Sequence, residues 1–337
     1  MSATIHDVAR SAGVSIKTVS RVLNGESNVA APTAALVHAA IAALDYHPNL
    51  AARSLRTGAS DTIGVIVDSL SDPFFAKLIS VFEDRATAHG MDILVASTGA
   101  DEERARMQVT RMVRRNVNGL LIAPFGPSLT ALPEPGVVPT VLIDRHTEGS
   151  AYDEVIVDDE AAAYTAVSHL IAHGHQRIGF VGESLRFSTV HHRLLGYRRA
   201  LDDNAVTLTP EYVHTACWDS DTATKLTKAM LKLDEPPTAI FASTPVTGVG
   251  VLSGMRAVGR PDVALVVFGD FPLSTVIEPA VTVVDQVPVD LANTAMDRLL
   301  ARLGGDTSPP TSTVVATQFL IRGSGELPPT DRPVSPR

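Results

Sequence analysis

The sequence predicts an α/β protein, a small all-α head followed by a two-lobed core built on parallel sheets. Three observations carry this. Residues 4–24 hold two apolar stripes of helix length around a glycine. From Thr62 onward, short and continuously apolar runs alternate with amphipathic, helix-forming stretches. The run Thr62-Ile63-Gly64-Val65-Ile66-Val67 is echoed by Arg177-Ile178-Gly179-Phe180-Val181-Gly182, each opening a block of several strand–helix units. Strands apolar along their whole length are buried on both faces, as parallel strands joined by crossover helices are. The echo implies two similar lobes with a cleft between them.

In the head, Thr4 can cap the first helix, and Asp7 three residues on places a carboxylate at the positive helix end. Val8, Ala9 and Ala12 give an inward stripe, and Gly13 permits the turn. Ser15 caps a second helix in which Val19, Val22 and Leu23 face inward and Asn24-Gly25 stop it. Two helices across a tight glycine turn make a helix-turn-helix. A third helix, opened by Pro32, puts Leu36, Ala40, Ala43 and Leu44 on one face, so residues 1–46 suffice for a three-helix domain. Residues 47–60 follow as a connector. Asn49 can cap a helix over 50–55, but barely two turns do not hold alone in water, so this stretch is a linker or folds on a partner.

The expected strands of the core are Ile63–Val67, Ile93–Ala96, Leu120–Ala123, Val141–Ile143, Val155–Val157, Ile178–Val181, Ala239–Ala242, Val263–Phe268, Val281–Val284 and Phe319–Ile321. One lobe is expected over 62–159 with 289–317, the other over 160–288 with 318–325. The tail, 326–337, carries four prolines from Leu327 onward and reads as disordered.

Composition narrows the function. The 337 residues fit two to three domains of about 150 each, and 45% hydrophobic content is too high for disorder. Cys217 is the single cysteine, which excludes an internal disulfide and a cysteine-built zinc site. No run of about 18 apolar residues is present, and Met1–Asp7 lack the basic start and apolar middle of a signal peptide, so a cytosolic protein is expected. Charge is unevenly spread: 28 basic and 37 acidic side chains give −9 overall. Residues 1–60, with Arg10, Lys17, Arg21, Arg53 and Arg56 against Asp7, Glu26 and Asp45, carry +2, which leaves −11 on the rest. A positive head on an acidic body suits a head that meets a polyanion and a body that avoids it.

Enzymatic readings find no support. No phosphate-cradling glycine loop, nucleophile elbow or His-Glu metal motif is present. His169, His173 and His175, with His191 and His192, sit on polar stretches and read as surface residues rather than metal ligands. No cofactor is expected.

The segment Thr4-Ile5-His6-Asp7-Val8-Ala9-Arg10-Ser11-Ala12-Gly13-Val14-Ser15-Ile16-Lys17-Thr18-Val19-Ser20-Arg21-Val22-Leu23-Asn24 resembles the head of lactose-repressor (LacI/GalR) family transcription regulators. The likeness continues through Tyr46-His47-Pro48-Asn49, Ala52-Arg53-Ser54-Leu55-Arg56-Thr57-Gly58 and Asp72-Pro73-Phe74-Phe75. It extends to Gly174-His175-Gln176-Arg177-Ile178, Arg193-Leu194-Leu195-Gly196-Tyr197 and Ile321-Arg322-Gly323-Ser324. The resemblance implies a DNA-binding head, a hinge helix that folds on the operator, and a core like the periplasmic sugar-binding proteins. A dimer would bind a pseudo-palindromic DNA operator, and a small-molecule effector, such as a sugar or sugar derivative, would alter DNA affinity. The competing class, a solute-binding protein of a transport system, predicts an export signal and no such head.

By the same resemblance, DNA contacts fall on Thr4, Ser15, Ile16, Lys17, Thr18, Ser20, Arg21, Asn24, Asn28, Ala52 and Leu55. Ile16, Lys17 and Arg21 match the base-reading positions, where Arg or Lys on guanine is the commonest specific contact; the plainer alternative is phosphate contact. Leu55 matches a leucine that wedges into the minor groove and kinks the duplex, against the alternative of a linker leucine docked on the core. Effector contacts fall on Phe74, Asp144, Arg193, Trp218, Thr244, Asp270 and Gln286, with Trp218 as a core residue the alternative for that position. Asp158 reads as a helix cap. The chain departs from the family where Val267 and Gly269 replace a glycine and an aspartate, and where Ser243-Thr244-Pro245 replaces an Asn-Asp pair. Either the ligand is not a common sugar or the effector response has decayed.

Overall fold

The computed structural model describes residues 3–23, 28–46, 60–125 and 132–330. The chain divides into two compact units, Met1–Ser60 and Asp61–Arg337.

The first unit contains α1 (Ile5–Ala12), α2 (Ile16–Leu23) and α3 (Ala31–Ala43). Thr4 and Asp7 form a reciprocal cap on α1, the Thr4 N–H donating to Asp7 Oδ2 at 3.0 Å. Gly13 takes the left-handed conformation that ends it (φ +66°). Ser15 Oγ accepts the Thr18 N–H at 3.1 Å and so opens α2. The core of this unit is Val8, Ala9, Val19, Val22, Val37 and Ala40. On α3 the expected face is corrected: Val37 is buried, whereas Leu36 and Ala43 are exposed. The helix is alanine-rich around its circumference, so apolar spacing marks no single face.

The second unit holds two six-stranded sheets. The first has the order β11-β5-β4-β3-β1-β2, with β1 (Thr62–Val67), β2 (Asp92–Ser97), β3 (Gly119–Ile122), β4 (Thr140–Ile143), β5 (Asp153–Val157) and β11 (Ser312–Val315), all parallel. The second has the order β12-β10-β9-β8-β6-β7, with β6 (Ile178–Val181), β7 (Val213–His214), β8 (Ala239–Ala242), β9 (Ala264–Phe268), β10 (Thr282–Asp285) and β12 (Gln318–Leu320). The sheets are parallel as expected, except that among the described strands β12 runs antiparallel to β10. The reason is connectivity: β12 follows β11 after only two residues, too few for a crossover helix.

Helices α4 (Pro73–Ala88), α5 (Glu102–Arg114) and α10 (Pro288–Leu303) pack on the first sheet. The second lobe carries α6 (Asp159–Ala172), α7 (Ser188–Asp203), α8 (Ser220–Met230) and α9 (Pro245–Ala257). The chain therefore passes between lobes three times, at β5–α6, β10–α10 and β11–β12. One passage is strained. Val287 holds φ +44°, rare for a β-branched residue, and its N–H donates to Asp285 Oδ1 at 3.0 Å.

Two expectations about buried and mobile residues are corrected. The tail is ordered through Thr330: His175 Nε2 lies 2.9 Å from the Leu327 carbonyl, Arg260 Nη2 donates to the Thr330 carbonyl at 3.4 Å, and Thr330 Oγ1 bonds Asp262. Prolines suit an extended strap whose carbonyls are taken by side chains of the body; residues 331–337 lie outside the described residues. His175 is fully buried and also bonds Thr238, and His169 pairs with Glu326 at 2.5 Å, so neither is a surface residue. Among the described residues no group of three His, Cys, Asp or Glu side chains could hold a metal.

Gly196 is where α6 and α7 meet. A Cβ there would lie 2.2 Å from the Glu160 backbone carbonyl. Gly196→Ala should therefore destabilise the core by about 1–3 kcal/mol despite alanine's better helix propensity. Urea unfolding of the variant checks this; an unchanged midpoint would mean that the two helices can part without cost.

Candidate functional site

The first unit offers the outer face of α2. Val19 and Val22 anchor the helix inward, leaving Ile16 41% exposed with Ser15 and Lys17 exposed beside it. An apolar side chain held in water at the first turn is available to a thymine methyl or to another apolar surface. Thr18, Ser20 and Arg21 are half-buried, and Asn28 is exposed. Two candidates have local duties as well: the Thr4 hydroxyl serves the α1 cap, and Ser15 Oγ lies 2.9 Å from Thr18 Oγ1 at the α2 cap. Asn24, Ala52, Leu55 and the connector over 47–59 lie outside the described residues.

In the second unit, the carboxyl ends of both sheets face one cleft, the place where open α/β sheets take ligands. Asp72 caps α4 through the Phe74 N–H at 2.9 Å. Phe74, Asp270 and Gln286, three of the expected effector residues, line a cavity of about 250 Å³ together with Pro73, Lys77, Phe271 and Asp285. This lies just below the ~300–1,000 Å³ of drug-sized pockets and suits a small ligand. Gln286 Nε2 reaches across the lobes to Asp144 Oδ1 at 3.4 Å. Asp144 itself holds φ +69°, a strained conformation of the kind that persists at functional sites.

Arginines tie the floor of the cleft. Arg145 pairs with Asp68, donates to the Pro124 carbonyl at 3.0 Å, and lies 4.4 Å above the Phe187 ring of the opposite lobe. Phe187 in turn meets Phe125 edge-on at 5.2 Å. Arg193 donates to Asp159 Oδ1 at 2.7 Å and to the Ser243 carbonyl at 2.6 Å, with its guanidinium 3.7 Å from the Phe268 ring centre. Arg193 is therefore a buried structural tie as well as an effector candidate. Asp270 is similarly engaged, accepting from Arg322 at 2.7 and 2.9 Å and from Ser274 at 2.7 Å. Burial pushes its carboxyl up, but those hydrogen bonds outweigh it and hold the pKa below the ordinary carboxylate value.

Elsewhere in the cleft, burial wins. It raises Asp72 and Asp144 and drives Asp159 to about 7 against the pull of Arg193. Glu183 also rises to about 7 by burial, opposed by Arg145 and reinforced by Asp72 across the cleft. Glu183 and Phe187 were not foreseen. The signal was present, because Glu183 follows strand β6 by two residues, at a carboxyl end.

Thr244 caps α9 through the Thr247 N–H at 3.3 Å. Asp158 caps α6 through the Ala161 N–H at 2.9 Å. Trp218 is 57% exposed and is thus no core residue; it lies in the loop after β7, and no aromatic contact joins it to the other candidates among the described residues. The departures at the second lobe's wall turn out to be coupled. Gly269 holds φ +90°, and a Cβ there would stand 2.8 Å from Pro245 Cγ. A Cβ on Gly248 would stand 2.7 Å from Val267 Cγ1. Pro245 fills the space beside position 269, so a side chain there is sterically excluded rather than merely missing, while Val267 does the same at Gly248.

Residues 4–49 match the family described as bacterial regulatory proteins, lacI family, and residues 167–325 match the periplasmic binding protein-like domain. Catabolite control protein A of Priestia megaterium is 33% identical over 90% of this chain and 92% of its own length. The transcriptional repressor CytR of Escherichia coli (strain K12) is 28% identical over 96% of each chain. The lac repressor dimer bound to operator and the anti-inducer ONPF superposes with a TM-score of 0.86 at 27% identity, covering 96% of this chain and 99% of that one. A complex of the transcriptional regulator CelR with cellobiose gives 0.69 at 27% identity, again over 96% and 99%.

Proposed function

The chain belongs to the lacI family of bacterial regulatory proteins, a DNA-binding regulator of transcription with an effector-binding core, and we propose that it represses by binding an inverted-repeat operator as a symmetric dimer. The observation that carries this is the joining of a helix-turn-helix head to a two-lobed core with a lined cleft in one chain. A solute-binding protein would have the second without the first. Ile16, Lys17 and Arg21 read the major groove, and Thr4, Ser15, Thr18, Ser20 and Asn28 supply further DNA contacts around them. Asn24, Ala52 and Leu55 complete the contacts on the resemblance alone. Such a protein works in the cytosol, and among the described residues no helix is long and apolar enough to cross a membrane.

The dimer reading has support in the second lobe. Leu273 and Val276 are 66% and 74% exposed beside an apolar groove of about 580 Å³ that Val249, Leu252 and Ile277 line. Apolar surface of this kind marks an interaction face, and a second copy meeting it about a twofold axis would pair it with itself. That the lac repressor is seen as an operator-bound dimer favours this occupant.

DNase footprinting against the chain's own upstream DNA tests both points. The expected result is one protected inverted repeat, with affinity falling steeply as salt rises. Val276→Asp should give a monomer in sedimentation and lose the footprint at the same protein concentration. A variant that stays dimeric with an intact footprint would move the dimer face elsewhere; an unprotected or asymmetric site would overturn the operator reading.

A further inference from the structure

Contacts between the lobes next to a chain crossing follow from connectivity. Contacts away from the crossings do not, and they persist only through their own attraction. One such set forms where the turn ahead of α7 meets the first lobe. Phe187 of the second lobe is 6% exposed, and its ring meets that of Phe125 of the first, 3% exposed, edge-on at 5.2 Å. The Arg145 guanidinium of the first lobe lies over the same Phe187 ring at 4.4 Å, and that of Arg186 of the second lies 5.2 Å from the Phe125 ring centre. Each lobe therefore offers one ring and one cation to the other. At the rim, Arg186 Nη2 reaches Glu102 Oε2, at the start of α5, at 3.5 Å. None of these five residues belongs to a crossing segment.

Both halves of this contact are held in place within their own lobes. Arg145 is fixed by Asp68 and by the Pro124 carbonyl, so the first lobe presents its cation already positioned. The Phe187 N–H donates to the Ser184 carbonyl at 3.1 Å, and the Phe187 carbonyl accepts the His191 N–H at 3.1 Å, which ties the ring to the first turn of α7. Parting the lobes would put both rings into water and take the ring face away from the Arg145 cation. Backbone strain works the other way. Gln286 bonds Asp144 across the lobes at 3.4 Å, Asp144 holds φ +69°, and Val287, next to Gln286, holds φ +44°. A junction with left-handed backbone at both ends persists only where its surroundings over-determine it.

We propose that Phe187 and Arg186 form a latch on Phe125, Arg145 and Glu102 that keeps the lobes closed with no effector bound. Closure is then the resting state of the core rather than a response to a ligand. The latch supplies the attraction, and the strained Asp144–Gln286 junction supplies the tendency to spring open once the latch is lost. Any ligand that needs the lobes apart meets only the open minority, and its apparent affinity falls by that fraction. This inference rests on the reading of the core as the effector-responsive part of a regulator.

Single-molecule energy transfer on the full-length, ligand-free chain tests the latch. Dyes go on Thr110→Cys of α5 and Lys225→Cys of α8, both exposed, one on each lobe. Labelled chain is diluted into an excess of unlabelled chain, so that each dimer carries one dye pair. Cys217 stays in place: it is fully buried and burial pushes its thiol up to about 11, so labelling near pH 7 spares it. The parent should show one closed population, with about a tenth or less of the molecules open. Phe187→Ala should raise the open-to-closed ratio roughly tenfold, the size of an aromatic pair with its cation contact. Phe187→Leu keeps the apolar bulk and so the fold, and should raise the ratio about fivefold. Arg199→Ala, which removes an ion pair to Glu160 inside the second lobe, should leave it unmoved. A parent already open without ligand, a ratio unchanged in the folded Phe187 variants, or equal opening in Arg199→Ala would each overturn the proposal. The distance is read without DNA, so failure to bind an operator would strike at the regulator reading and not at the latch.

Discussion

Arg193→Ala is expected to cost the core about 3–5 kcal/mol, the penalty of removing one partner of a buried ion pair. The side chain is 4% exposed, its partner Asp159 5%. It joins three elements: Asp159 at the start of α6, the Ser243 carbonyl at the end of β8, and the Phe268 ring on β9. The loss should also depend on pH, with a definite sign. Burial drives the Asp159 carboxyl to about 7 even with the arginine present, and removing that cation drives it higher. The folded variant then keeps a proton that the unfolded chain releases above about pH 4. Its stability falls as pH rises from that value through neutrality, so the deficit should be larger at pH 8 than at pH 6. Urea unfolding at both values decides the matter. A deficit under 1 kcal/mol at both, with effector response lost, would make Arg193 a ligand contact rather than a tie.

How much of this could be read from the residues alone depends on where the information resides. Each of the ten apolar runs corresponds to a strand, because strands buried on both faces need apolar side chains at every position. The two strands without such a run are edges. β7 is two residues long, and β11 is Ser-Thr-Val-Val with three of its four positions exposed. An edge strand is paired on one side only and needs no continuous apolar run, so its sequence carries little signal. The Leu36 face failed for the opposite reason: α3 is so rich in alanine that several faces satisfy the same spacing. At the cleft, residue types at strand ends were legible, but pairings were not. Nothing in a linear reading shows that Asp270 is bound to Arg322, fifty-two positions on, or that Pro245 excludes a side chain at Gly269. Those are facts of tertiary approach.

The second large effect lies on the DNA. Arg21→Ala should lower affinity for the preferred operator by about 1–3 kcal/mol in each half-site, a loss a symmetric dimer suffers twice. Arg21 stands in the last turn of α2, one turn beyond Lys17, on a helix whose inward side is fixed by Val19 and Val22. A guanidinium can take both acceptors of a guanine edge at once, which is what makes its removal specific rather than general. Selection from a randomised operator library should therefore show preference collapsing at one position per half-site, while affinity for the poorest sequences barely moves. The slope of affinity against salt should stay nearly constant, because no phosphate neutralisation is lost. Uniform weakening across the library, with a shallower salt slope, would assign Arg21 to the backbone and leave base reading to Ile16 and Lys17.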